Sequence, residues 1–188
     1  MNVKRPAMVF TDRHASILQY LFRNKISTYR QLHQDIFGNV SDSIVSRHLG
    51  RLMRDKFVTK SLICLNGKYT QVYMLDEGAV PYIEGYHQAK MMRYQIHSGT
   101  AEHDVKLLDL RRRLSCSQSV VRYISENELQ CLPEYRGDIR FVPLIQLKPD
   151  AVIEVCLKRG PTLIPFELEL SQKSSERYRE KIRDYYKH

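Results

Sequence analysis

Cysteine is scarce in this sequence, and its four copies lie far apart. No Cys-x-x-Cys pair occurs, so a cysteine-based zinc site is not expected. Disulfides would need an oxidising compartment, and nothing else in the chain indicates secretion. We therefore predict a cytoplasmic protein with reduced, mostly buried thiols. These thiols are Cys64, Cys116, Cys131 and Cys156.

Long apolar runs, internal repeats and low-complexity tracts are also missing. Met1–Phe10 holds no stretch that resembles the apolar core of a signal peptide. No segment approaches the roughly 20 apolar residues that a transmembrane helix needs. A secreted or membrane-spanning protein is therefore not expected.

Positive charge is what the chain has in excess. It contains 30 Lys and Arg against 21 Asp and Glu, which gives a net charge of +9 and a pI of about 9.4. The excess is uneven, because residues 1–76 hold 12 basic and 5 acidic residues while residues 77–188 hold 18 and 16. A basic surplus favours a polyanionic partner. We expect the N-terminal part to bind that partner.

Three short helical patterns open the chain. Thr11 is a good N-cap for the first helix. Its apolar stripe consists of Ile17, Leu18, Leu21 and Phe22. Thr28 and Gln31 form a capping-box pattern for the second helix. A third helix is predicted over Ser43–Arg54.

A hairpin signal follows these helices. Val58–Leu65 and Lys68–Leu75 are rich in β-formers and flank Asn66-Gly67, the dipeptide most typical of a tight hairpin turn. Three helices and a two-stranded wing are typical of a winged helix-turn-helix. We predict this domain over residues 1–76.

The third predicted helix has two opposed faces. Its apolar face consists of Val45, Leu49, Leu52 and Met53. Its other face consists of Ser43, Ser46, Arg47, Gly50, Arg51 and Arg54. A small, cationic and hydroxyl-bearing helix face suits insertion into a DNA major groove.

We expect Arg47, Arg51 and His48 to contact base edges or phosphates. Residues expected to contact backbone phosphates are Arg54, Lys56, Lys60 and Lys68. The alternative is a protein–protein adaptor with a solvated basic face, because winged helices serve that purpose too. The charge surplus favours double-stranded DNA.

The rest of the chain predicts a linker with a packing helix over residues 77–98 and a small α/β unit over residues 99–188. The predicted helices are Tyr86–Tyr94, Thr100–Leu114 and Ser174–Tyr186. The predicted strands are Val120–Ile124, Leu144–Leu147, Ala151–Leu157 and Thr162–Leu170. The overall fold class is therefore mixed α+β. A predicted helix ends at Arg111-Arg112-Arg113. This basic cluster is either a solvated helix end, where it complements the helix dipole, or a contact to the DNA backbone.

Carboxylates mark the ends of two predicted strands. Asp150 follows Pro149 at the start of one strand, and Glu167 and Glu169 lie on one face of the next. If the strands pair, Asp150 and Glu167 converge, and paired carboxylates suit Mg²⁺ or Mn²⁺. Such an ion can activate water against a phosphodiester.

Structural roles for the same residues stay open. Asp150 can be a strand-start turn residue. Glu167 and Glu169 can pair with Lys173 or Arg177 on a solvated face.

The chain has Pro-Asp, followed by a strand in which an acidic residue stands two positions before a position that is usually lysine. This pattern resembles the PD-(D/E)xK nuclease core. The longer string HDVKLLDLRRRL … LKPDAVIEV … PFELELSQKSSERYREKIRDYY, preceded by a winged helix, resembles the replication-relaxation family. That family includes mobilisation protein C-like accessory factors of bacterial plasmid transfer. The resemblance extends over about Thr11–Tyr186.

The resemblance implies roles for several residues. Asp150 and Glu167 match the acidic, metal-binding positions of the nuclease core. The other matches are His103-Asp104 on the first core helix and Lys181 and Tyr185 on the closing helix. Glu169 departs from the pattern, because an active nuclease usually has lysine there. Lys173 or Lys181 can supply that lysine from a neighbouring position, while many relatives have lost catalysis.

Three functions follow from these observations. The first, which we favour, is a DNA-binding accessory factor that binds a transfer origin and recruits or activates a relaxase or coupling protein. The second is a nuclease that needs Mg²⁺ or Mn²⁺, with Asp150, Glu167, Glu169 and Lys181 as its catalytic residues. The third is a transcription or replication regulator. DNA binding itself needs no cofactor, and a homodimer on an inverted repeat is expected.

Overall fold

The computed structural model describes residues 10–92, 95–96, 98–158, 160–170 and 175–187, which form a mixed α+β protein. The helices are α1 Asp12–Asn24, α2 Tyr29–Leu32, α3 Asp42–Arg54, α4 Val80–His87, α5 Ala101–Leu114, α6 Glu126–Cys131, α7 Pro133–Arg136, α8 Val142–Leu147 and α9 Ser175–Lys187. A π-helical turn, His33–Phe37, extends α2, and 3₁₀ turns cover Glu77–Ala79 and Ile139–Phe141. The strands are β1 Ile26–Thr28, β2 Val58–Leu65, β3 Lys68–Leu75, β4 Val120–Ser125, β5 Ala151–Leu157 and β6 Gly160–Phe166.

The N-terminal unit has the winged-helix arrangement that the sequence predicts. Thr11 caps α1 and Thr28 caps α2, each with the reciprocal bonds of a capping box. Strands β2 and β3 pair over their full predicted lengths, and β1 adds a third antiparallel strand beside β3. At the hairpin turn Asn66 has φ +49° and Gly67 has φ +77°, a conformation that Asn-Gly adopts readily. The hairpin of the wing is therefore specified by its two turn residues.

The second sheet has the order β4-β5-β6, with both strand pairs antiparallel. Helix α5 lies between this sheet and the winged helix, where Val105 packs with Ile26 and Val72. A single large apolar cluster also contains residues from both units, for example Phe22 and Ile124. The two units therefore share one continuous core.

Polar contacts add to this junction. The buried side chain of Asn127 donates to the carbonyl oxygens of Phe22 and Gln95, both at 2.7 Å. Lys25 pairs with Glu126, linking α1 and β1 to α6. Buried polar groups need such partners, so the interface has a defined geometry.

Two predicted elements are wrong. The helix expected over Tyr86–Tyr94 begins earlier and forms α4, since Pro81 sits in its first turn and Gln88 adopts φ +51° at its end. Tyr94 lies outside the described residues. The strand expected over Leu144–Leu147 belongs to α8, which also begins with a proline and ends at a left-handed residue, Lys148. Short apolar runs do not distinguish helix from strand.

The strand expected over Thr162–Leu170 also differs, because β6 ends at Phe166. Glu167 and Glu169 therefore do not lie on a strand. Beyond Phe166, the backbone N–H of Leu168 donates to the side chain of Asp150 at 2.7 Å instead of joining a strand ladder. The prediction of a shared strand face is wrong.

All four cysteines are free thiols, and only Cys131 is buried. The prediction of mostly buried thiols is wrong, because Cys64, Cys116 and Cys156 are exposed near strand or helix ends. None of the helices in the described ranges has both the length and the apolar character to cross a membrane.

Candidate functional site

Helix α3 presents a row of exposed cations. Arg47, Arg51 and Arg54 succeed one another at helical spacing on its outer side, with the hydroxyl groups of Ser43 and Ser46 beside them. Eight of the nine residues on the predicted DNA-binding surface are exposed: Ser43, Ser46, Arg47, Arg51, Arg54, Lys56, Lys60 and Lys68. The helix therefore offers positive charge and hydrogen-bond donors on one face.

The opposite face holds α3 in place. Val45, Leu49 and Leu52 are almost fully buried in the main apolar cluster. Burying three such side chains contributes about 1.5–3 kcal/mol each. The basic face is consequently presented by a rigid support and not by a mobile loop.

His48 differs from the other predicted contacts because it is half-buried and turns toward α1. Its Nδ1 lies 3.0 Å from Nε2 of His14, a fully buried residue of α1. Nδ1 of His14 in turn lies 3.3 Å from the backbone nitrogen of Thr11 and 3.1 Å from its hydroxyl oxygen. His48 thus ends a chain of hydrogen bonds that begins at the α1 cap.

Burial and nearby cations keep both rings neutral. Burial lowers the pKa of His14, and His48 and Arg51 lower it further. Burial also lowers the pKa of His48, with further lowering by Arg13 and Arg47. The role of His14 could not be predicted from the sequence, because His14 occupies the capping-box position where Glu or Gln is usual.

The wing adds cations and apolar side chains. Lys60 and Lys68 are exposed, and so are Leu62 and Tyr69, at 67% and 82% of their surface. Cross-strand register places Leu62 and Tyr69 on the same sheet face. The alternation of residues on either side of the Asn66-Gly67 turn could have predicted that Leu62 and Tyr69 share a face. The predicted set of DNA contacts did not include these two residues.

The basic cluster Arg111-Arg112-Arg113 mainly connects the two units. Arg112 pairs with Asp35 at 3.0 Å, and Arg111 donates to Asn24 at 3.1 Å. Of the three arginines, Arg113 alone is exposed. Two of the three guanidinium groups therefore bind other residues of the protein. These two groups form neither a solvated helix end nor a free phosphate-binding surface.

The predicted carboxylates do converge. Ala151 pairs with Phe166 in the β5–β6 register, so Asp150 and Glu167 lie next to each other at the strand ends. They line a cleft of about 320 Å³ whose other walls include His103, Glu169 and Lys181. Lys173 lies outside the described residues.

His103 bridges two carboxylates across this cleft. Its Nδ1 lies 3.1 Å from Oδ1 of Asp104, and its Nε2 lies 3.1 Å from Oδ2 of Asp150 and 3.0 Å from the carbonyl oxygen of Leu168. All of these partners accept hydrogen bonds, so both ring nitrogens carry a proton. The bonds to Asp104 and Asp150 raise the pKa of His103 to about 10.

Asp150 is ionised in this arrangement. Burial by itself would raise its pKa, but the hydrogen bonds from His103 and from the Leu168 N–H outweigh burial and lower it. An imidazolium and a carboxylate therefore face each other inside the cleft.

Both oxygens of Glu167 have partners on α9. Tyr185 donates its hydroxyl to Oε1 at 2.7 Å, and Lys181 lies 2.7 Å from Oε2. Burial and the bond to Glu167 raise the pKa of Tyr185. Glu167 thus connects α9 to the end of β6.

The donor set of the cleft does not match a preformed metal site. No group of three His, Cys, Asp or Glu side chains in the described part of the chain is arranged to hold an ion. A cation bound by Asp150 and Glu167 would have to displace His103 and Lys181, two positively charged side chains. Asp150 and Glu167 are thus already neutralised by His103 and Lys181.

No known protein family, no characterised protein and no solved structure matches this chain.

Proposed function

We propose that this protein binds double-stranded DNA in a sequence-specific way through α3 and the wing. The observation that carries the proposal is the row of Arg47, Arg51 and Arg54 on the exposed face of a firmly packed helix. A helix fits the major groove, where arginine can bind guanine with two hydrogen bonds. Lys60 and Lys68 of the wing then contact the phosphate backbone.

The Arg51→Ala variant tests this proposal. If Arg51 makes a bidentate base contact, the variant binds its specific site about 1–3 kcal/mol more weakly while its binding to random duplex DNA changes little. A site is first selected from random duplexes with the wild-type protein, and affinities are measured by fluorescence anisotropy.

Lys158→Ala is a matched control, because it removes one exposed charge from the turn between β5 and β6, on the second sheet's side of the molecule. Equal weakening on specific and random DNA would make Arg51 a phosphate contact. Absence of any duplex binding by the wild type would contradict the proposed function.

In the cell, we propose, the protein serves as an accessory factor of plasmid mobilisation and recruits or activates a relaxase at the transfer origin. The support is the resemblance of the string from His103 to Tyr186 to the replication-relaxation family. Relaxase nicking of a supercoiled origin plasmid should increase when this protein is added. Binding beside its own promoter, with no effect on nicking, would favour the regulator instead.

A metal-dependent nuclease is the second candidate, and the pairing of β5 with β6 favours it by placing Asp150 beside Glu167. Against it stand His103 and Lys181, which already neutralise these carboxylates. The test is incubation of supercoiled plasmid with Mg²⁺, Mn²⁺ or EDTA. Asp150→Asn is the matched variant, because its amide oxygen can still accept from the Leu168 N–H. Metal-dependent nicking that this variant loses would establish the nuclease.

A further inference from the structure

The His14–His48 pair has only one arrangement of protons that satisfies every bond. The backbone N–H of Thr11 can only donate, so Nδ1 of His14 must accept. A neutral His14 then carries its proton on Nε2 and donates it to Nδ1 of His48. His48 is left with its own proton on Nε2. Its tautomer is therefore set by a residue of another helix.

The tautomer of His48 affects the proposed DNA-binding face of α3. His48 follows Arg47 on α3 and lies three residues before Arg51, at the border between the buried face and the basic face. With Nδ1 occupied by His14, the Nε2–H group is the remaining polar group of the ring. A neutral N–H donor at that border can bind a phosphate oxygen.

We propose that His14 is a positioning residue, which holds His48 in its neutral Nε2–H form so that α3 presents this donor to a DNA phosphate. The proposal rests on the proposed DNA-binding function. The contact that it adds depends on which ring nitrogens of His14 and His48 carry a proton.

Uptake of a proton disrupts the chain of hydrogen bonds. A proton on Nδ1 of His48 would face the Nε2–H of His14, and a proton on Nδ1 of His14 would face the Thr11 N–H. The charged groups around the pair are Arg13 of α1, Arg47 and Arg51 of α3, and Asp55 just after α3. Three of these four are cations, so a protonated pair is also repelled by its surroundings.

The direction of the pH effect separates this arrangement from a solvated surface histidine. A solvated histidine gains charge in acid and strengthens DNA binding. The ordered pair instead loses its hydrogen bonds in acid, which moves the His48 ring and weakens DNA binding.

The experiment has two measurements. Ring ¹⁵N NMR at pH 7.5, without DNA, reports which nitrogens of His14 and His48 carry protons. Anisotropy titrations with a selected duplex at pH 7.5 and 5.5 then compare the wild type with His48→Gln and His14→Leu. Circular dichroism at both pH values confirms that each protein is folded.

Glutamine at position 48 reproduces the neutral tautomer, because its oxygen can accept from His14 and its amide can donate to a phosphate. Once the pair has taken up a proton, we expect the wild type to bind about fivefold more weakly than His48→Gln, about the value of one hydrogen bond. His14→Leu should already bind about fivefold more weakly at pH 7.5, since it leaves His48 unordered.

Nδ1–H on His48 at pH 7.5 would overturn the inference, as would equal affinities of the wild type and His14→Leu for the selected duplex at pH 7.5. Absence of duplex binding at both pH values would instead overturn the proposed function, while the NMR result would still decide the tautomer.

Discussion

Two sets of histidines in this protein hold opposite charge states because their partners differ. His103 has only acceptors around it, namely Asp104, Asp150 and a carbonyl oxygen, and it is charged. His14 is neutral, because burial lowers its pKa and the Thr11 N–H donates to one of its nitrogens. Burial and the nearest partners together, and not the residue type, decide the proton count.

The His103 contacts should make stability depend on pH. The folded pKa of about 10 lies above the ordinary value of 6.5, so the folded protein keeps a proton that the unfolded chain releases between these values. The stabilisation is complete below about pH 6.5 and is lost as pH rises through about 10. His103→Gln should therefore lower the free energy of unfolding by about 1.5–3 kcal/mol at pH 6 and by much less at pH 10. Urea unfolding at both pH values measures this difference, and an equal loss at the two values would contradict a charged His103.

Helix α3 contains a glycine where a helix normally avoids one. A Cβ added at Gly50 would meet no atom within 4 Å, so packing does not require glycine there. Glycine inside a helix costs about 0.5–1 kcal/mol relative to alanine, and close approach to a ligand is one reason to keep it. Gly50 lies beside Arg51 on the face that we propose to enter the major groove.

Gly50→Ala should raise the melting temperature and weaken DNA binding. The gain is about 0.5–1 kcal/mol, since alanine is the better helix former. Gly85→Ala is the matched control, because Gly85 lies in α4 with open space around it and should give the gain without the loss. Calorimetry and anisotropy measure the two effects. Unchanged DNA affinity in Gly50→Ala would place this part of α3 away from the DNA.

The turn before α4 depends on a glycine for a different reason. A Cβ at Gly78 would lie 2.4 Å from the carbonyl oxygen of Lys56, a backbone atom that cannot move alone. Gly78→Ala should therefore destabilise the protein by about 1–3 kcal/mol, as overpacked sites do. Thermal unfolding beside Gly85→Ala measures the difference. An unchanged melting temperature would mean that the junction between α3 and β2 is loose.

At the scale of the whole molecule, the shared core predicts that both units unfold together. Asn127→Ala leaves the buried carbonyl oxygens of Phe22 and Gln95 without their donor, at a cost of about 2–4 kcal/mol. Native-state hydrogen exchange should show equal loss of protection in β3 and β5. Asn39→Ala, at an exposed turn, is the control. A loss confined to β5 would show that the winged helix is independently stable.

The local sequence determined much of the N-terminal unit. The caps at Thr11 and Thr28 and the two strands around Asn66-Gly67 appear as predicted, because the interactions that specify them join residues only a few positions apart. The approach of Asp150 to Glu167 was also predictable, since it follows from the pairing of the two strands that these residues flank. The exposure of Arg47 and Arg51 followed from the apolar stripe on the other side of their helix.

Only the tertiary structure decided what these residues touch. His14 and His48 are 34 residues apart, and His103 and Asp150 are 47 apart, so no local pattern connects them. The early end of β6 likewise depends on the side chain of Asp150, 18 residues before Leu168. Proton positions and neutralised carboxylates depend on distances of about 3 Å between distant segments. Such distances are set by the packing of the whole core, which is why the sequence determined the helices, the wing and their faces, and the fold alone determined the charge states of the sites.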